Sequence, residues 1–101
     1  MAVTPKALFR GAATTTTTTT LYTVPSSTTT IVTEILAANT AAATGTFTVY
    51  LNGTIIANTI TVAANDTTVI SLKQPLATTQ TIQGGASATT INLSITGVEI
   101  A

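Results

Sequence analysis

The sequence predicts an all-β fold, an antiparallel β-sandwich of seven or eight strands with jelly-roll or immunoglobulin-like connections, and three observations carry that prediction. Short segments dense in threonine, isoleucine and valine recur between turn residues at Pro5, Gly11, Pro25, Gly45, Gly53, Pro75, Gly84-Gly85 and Gly97, the pattern of a sandwich or barrel. Branching at Cβ stiffens these residues at χ1 and suits them to a pleated strand. Helix signals are nearly absent: the Ala41-Ala42-Ala43 run is too short to nucleate a helix and reads as a loop.

Taken in order, residues 1–13 read as an N-terminal arm and residues 14–101 as the sandwich domain. The arm carries Lys6, Leu8, Phe9 and Arg10, and its two large apolar residues suit docking on the domain or on a neighbour. Seven threonines, Thr14 to Thr20, then run into Leu21-Tyr22-Thr23-Val24-Pro25. A threonine stretch of this kind fits either a flexible linker or a strand. Its continuation into Leu21 and Tyr22 and its stop at Pro25 favour a strand, and the lack of large alternating side chains makes it an edge strand of weak register. Thr29 to Ala38 places apolar residues on both faces, with Ile31 and Ile35 opposed to Val32 and Leu36, and Glu34 beside the latter. Such a strand calls for a bulge or a subunit contact on its outer face.

In Thr46 to Leu51 the alternation is clean, with Phe47, Val49 and Leu51 on one face and Tyr50 on the other. Asn52-Gly53 follows; this pair supplies the positive φ angles of a type I′ turn, so Thr44–Leu51 and Thr54–Val62 are expected to be antiparallel neighbours. Asn65-Asp66 marks a turn that Asp66 caps. The next strand, Asp66 to Leu72, sets Ile70 and Leu72 against Val69 without deciding which face is buried. A short strand around Ile82 precedes an expected turn at Gly84-Gly85, and Ile91, Leu93 and Ile95 define a core-lining strand near the C-terminus.

Composition narrows function. The chain has 101 residues with 45% hydrophobic and only 6% charged, and Lys6, Arg10 and Lys73 balance Glu34, Asp66 and Glu99 to a net charge of zero. Soluble monomers commonly carry roughly a quarter to a third charged surface residues and a net charge away from zero, so this surface suits a subunit of an assembly. Three dispersed cations form no phosphate-tracking patch, which argues against nucleic-acid binding. The apolar runs are a few residues long, far short of the roughly 20 that cross a bilayer, and no apolar signal core is evident. There is no histidine and no cysteine, so the usual acid–base and nucleophilic constellations are missing and no enzyme is expected. Asn65-Asp66-Thr67 offers one carboxylate, too few for a calcium loop, and no cofactor or metal is expected. Phe47 reads as core, whereas Tyr22 and Tyr50 are candidate contact residues.

Leu8-Phe9-Arg10-Gly11, the threonine stretch, Leu21-Tyr22-Thr23-Val24-Pro25, Thr30 to Ile35, Asn39-Thr40, Ala64 to Thr67 and the closing Ile95-Thr96-Gly97-Val98-Glu99 together resemble small β-sandwich virion proteins of tailed bacteriophages. The resemblance spans most of the chain, and its motifs are structural. It implies a virion part, a capsid decoration protein by preference, that stabilises the head by contacts with the major capsid protein and with copies of itself, trimers favoured. Leu8, Phe9 and Arg10 are the expected anchors, Tyr22 and Tyr50 the secondary contacts, and strand addition at a sheet edge the expected mode. The alternative is a tail or fibre module that binds host-surface glycan through exposed aromatics. The unbroken threonine run departs from the more mixed stretch of such proteins.

Overall fold

The computed structural model describes residues 2–101, so Met1 of the expected arm lies outside the described residues. Eight strands follow in order: β1 (Val3–Ala12), β2 (Thr20–Thr23), β3 (Thr29–Asn39), β4 (Gly45–Leu51), β5 (Thr54–Val62), β6 (Thr67–Leu76), β7 (Thr81–Ala86) and β8 (Ile91–Ile100). Sheet A has the order β1-β8-β3-β6 and sheet B the order β2-β7-β4-β5, all antiparallel. The pairing is nested: β4 with β5, β3 with β6, β2 with β7, β1 with β8. One long hairpin, closed at Asn52-Gly53, is thus rolled up so that successive pairs fall on alternate sheets. That is jelly-roll connectivity, which decides between the two connections the sequence left open.

The closing turn has φ of 49° at Asn52 and 80° at Gly53, as a type I′ turn requires. From it, alternation carries Phe47, Val49 and Leu51 into the core and leaves Tyr50 on the outer face of sheet B, half-buried. Ile91, Leu93 and Ile95 of β8 face them from sheet A, each almost fully buried. Burying a side chain of this kind stabilises by roughly 1.5–3 kcal/mol, so β4 and β8 anchor the sandwich. The ambiguous β3 is resolved by a bulge. Between Val32 and Glu34 its register shifts by one residue against β8, where Thr33 is the extra residue, and by one in the opposite sense against β6, where Leu72 and Lys73 stand opposite Thr33. The extra residue, Thr33, turns Val32 and Ile35 to the same inner face and leaves Ile31, Glu34 and Leu36 outside. On β6, Ile70 and Leu72 pack against the core while Val69 is exposed.

Three expectations are corrected. Val3 to Ala12 are not an arm but a full strand, paired with β8 from Val3–Ile100 to Ala12–Asn92. A bulge between Ala7 and Phe9 in β1 turns Leu8 into the core, where it is 7% exposed. The threonine run is not an edge strand: only Thr20 joins β2, and Thr14 to Thr19 form the crossing from sheet A to sheet B. Its ends are tied to β7, because the Ala86 and Gly84 N–H groups donate to the Thr14 and Thr19 carbonyls at 2.8 and 2.9 Å. Between them the hydroxyls close a tight loop. Those of Thr14 and Thr19 donate to the Thr16 carbonyl at 3.1 and 2.7 Å, local bonding that competes with a sheet ladder. Gly84-Gly85 lies inside β7 rather than at a turn. A Cβ on Gly85 would sit 2.7 Å from the Thr16 carbonyl oxygen, so the glycine admits the threonine loop.

The remaining loops follow their local chemistry. Ala41 to Ala43 are irregular, pinned by buried Asn39, whose side-chain amide donates to the Ala43 and Val62 carbonyls at 2.8 and 3.2 Å and accepts from the Ala41 N–H at 3.0 Å. Asp66 accepts from the Thr67 N–H at 2.8 Å and caps its turn.

Candidate functional site

The five residues singled out by sequence do not form one site. Leu8 is core, and Phe9 packs half-buried beside it. Arg10 is exposed on the outer face of sheet A, where its Nε donates to the Ser94 hydroxyl at 3.3 Å. Tyr22 points between the sheets, opposite Ile82 in register, and Tyr50 lies on the outer face of sheet B beside Ile55. Leu8 is therefore unavailable to a partner, and only Arg10 and Tyr50 present polar or aromatic groups outward.

Tyr22 belongs to a polar clasp that spans the open end of the sandwich. Its hydroxyl donates to the Glu99 carboxylate of β8 and shares a 2.8 Å hydrogen bond with the Thr30 hydroxyl of β3. Lys6 of β1 lies 3.4 Å from the same carboxylate. Burial, reinforced by the hydrogen bond to Glu99, pushes the Tyr22 hydroxyl up to about 12, because both disfavour the phenolate. A phenol held protonated beside a single carboxylate is a structural tie, and the exposed Lys6 pair adds at most about 1 kcal/mol. Among the described residues no cluster of three or more acidic, histidine or cysteine groups is present. A shallow groove of about 580 Å³ runs along Thr33 and Ser71 to Gln74, where the bulge splays β3 from β6, and its only charge is Lys73.

The outer face of sheet A is the surface with a pattern. Register aligns side chains across the strands in rows. Val3 and Ile100 share one row with Thr29; Pro5, Val98, Ile31 and Pro75 fill the next, apolar on all four strands. Ala7, Thr96, Glu34 and Ser71 follow, then Arg10, Ser94, Leu36 and Val69. Val3 is 62% and Val69 52% exposed. One end of the face is thus apolar, the middle carries Glu34 on β3 and Arg10 on β1, and Lys73 of the edge strand β6 is exposed between Ser71 and Pro75; neither Glu34 nor Arg10 has an ion-pair partner among the described residues. Sequence reasoning noticed the extra apolar residues of β3 but missed the row, because the phase of β1 and β3 depends on their bulges.

Edges are less available than faces. β1 carries Pro5 and the Leu8 bulge, and β2 has four residues and a register shift. β5 shifts twice and holds Thr59 at φ 51°, and β6 contains Pro75 and faces the β3 bulge. Such interruptions blunt an edge against strand addition.

No family model matches the chain, and no curated protein matches it. Among solved structures it is similar to an exo-β-1,3-galactanase from Phanerochaete chrysosporium in complex with β-1,3-galactotriose, at 16% identity and a TM-score of 0.48. That alignment covers 97% of this chain and 29% of the galactanase. A second similarity, to the Agl-KA catalytic domain, has 16% identity and a TM-score of 0.38 and covers 78% of this chain and 19% of the other. The chain spans less than a third of either protein, and neither likeness bears on what it binds.

Proposed function

We propose that the chain is a non-catalytic, adhesive building block of an assembled particle, in its most specific form a capsid decoration protein of a tailed bacteriophage that sits on the major capsid protein at the virion surface. The observation that carries the adhesive reading is the outer face of sheet A: an apolar row across four strands on a chain with 6% charged residues and no net charge. Apolar surface rimmed by polar residues in this way marks an interaction site. Many modest contacts repeated over a particle surface sum to strong retention without any single tight one. The assignment to a phage head rests on the sequence resemblance. Glycan binding finds less support, since Tyr22 is turned inward and Tyr50 is left without a second outward aromatic. Electron cryomicroscopy of particles carrying the chain tests the reading: repeated density of this sandwich on the head surface is expected, and its presence only at a tail or fibre tip would refute it.

A further inference from the structure

We propose that a second copy of this chain is seated on the outer face of sheet A, in a two-fold pair whose axis runs along β8. The inference rests on the adhesive reading and names the partner. Charge position selects the axis. Arg10 lies on β1 and Glu34 on β3, one on each side of the central β8, and in adjacent rows. Rotation about an axis along β8 lays β1 of one copy over β3 of the other, so each Arg10 comes within one row of the partner copy's Glu34. Rows are about 7 Å apart, a span an arginine side chain covers. An in-plane axis across the strands would instead lay β1 on β1 and leave both charges unpaired.

The same operation keeps each row facing itself. Pro5 meets Ile31 of the other copy, Val98 meets Val98 and Ile100 meets Ile100, an apolar contact at one end with two ion pairs beside it. Such self-complementarity is what an isologous interface requires. Three strands, about 14 Å wide and about 34 Å long, present roughly 480 Å² per copy in projection, about 1,000 Å² in all, near the lower limit for a specific interface. The pair is therefore reversible, with dissociation in the micromolar range or weaker. It also replaces the expected trimer by a dimer as the elementary contact.

The test uses sedimentation equilibrium of the full chain and of Arg10→Glu and Glu34→Arg variants, with circular dichroism as the check on folding. Wild type is expected to dimerise reversibly, and each variant alone to dimerise at least tenfold more weakly, because like charges then face one another. An equimolar mixture of the two variants places opposite charges at both contacts and is expected to restore pairing; coupling within one chain cannot produce that result. A wild type that stays monomeric at about 1 mM, or variants that pair as wild type does, or a mixture that does not recover, would each overturn the proposal. Monomeric protein that still decorates particles would remove the pair and leave the adhesive reading standing. A dimer that binds no particle would do the reverse.

Discussion

The sharpest mechanical demand in the fold is at Gly97, in the middle of the central strand β8. A Cβ built there would lie 2.3 Å from the Ile31 carbonyl oxygen and 2.9 Å from Leu8 Cδ1. The Leu8 methyl can rotate away. The carbonyl cannot, because it belongs to the neighbouring strand β3, just where the Thr33 bulge begins. Gly97→Ala must therefore open β3 from β8 by close to 1 Å. Overpacking a tight site costs typically 1–3 kcal/mol, and a backbone obstacle puts this one at about 3 kcal/mol. The reduced freedom of an alanine in the unfolded chain offsets about 0.4–1 kcal/mol, leaving about 2 kcal/mol or more. For a domain of this size that lowers Tm by roughly 8–16 °C. Thermal denaturation followed by circular dichroism measures it, with Gly11→Ala as control, since the nearest atom there is Phe9 Cζ at an ordinary 3.6 Å. Adding Leu8→Ala is expected to give no rescue. A Gly97→Ala protein melting within 3 °C of wild type, a threshold well below the roughly 4–8 °C per kcal/mol expected here, would refute the reasoning.

Other expectations follow from the same structure. Leu8→Ala should destabilise the isolated domain by about 2–3 kcal/mol, as for other buried leucines, whereas a leucine serving only as an external anchor would leave urea unfolding unchanged. Deleting residues 2–12 should abolish cooperative unfolding, since it strips a strand from β8 and uncovers Ile95; a truncated chain with a wild-type melt would contradict that. Tyr22 binds its proton more tightly when folded, so its stabilisation is complete below pH 10 and fades as pH rises from 10 toward about 12. Ultraviolet titration should show one late-ionising tyrosine, and Tyr22→Phe should remove both that step and the matching share of alkaline destabilisation. Gly85→Ala should displace the Thr14–Thr19 loop, which lies within 2.7 Å of the added Cβ, and is read as faster amide exchange at Gly84 and Ala86 together with a lower Tm, since their buried N–H groups lose the Thr19 and Thr14 acceptors.

What the sequence determined by itself was what local chemistry can write: β-branched segments make strands, Asn52-Gly53 makes the hairpin, and period-2 alternation assigns the inner faces of β4 and β8. Each of these depends on a residue and its near neighbours. Tertiary structure decided the rest, because it turns on which strand lies alongside. The bulges at Leu8 and Thr33 reverse the inside–outside phase midway along β1 and β3, so the apolar row on sheet A appears only once the pairing with β8 is known. Leu8 and Phe9 look alike as members of an arm and as members of a strand until β8 supplies its free edge. Identical threonines encode no register of their own, and the run from Thr14 to Thr19 became a loop because Gly84, Gly85 and Ala86 offered it hydrogen bonds and room.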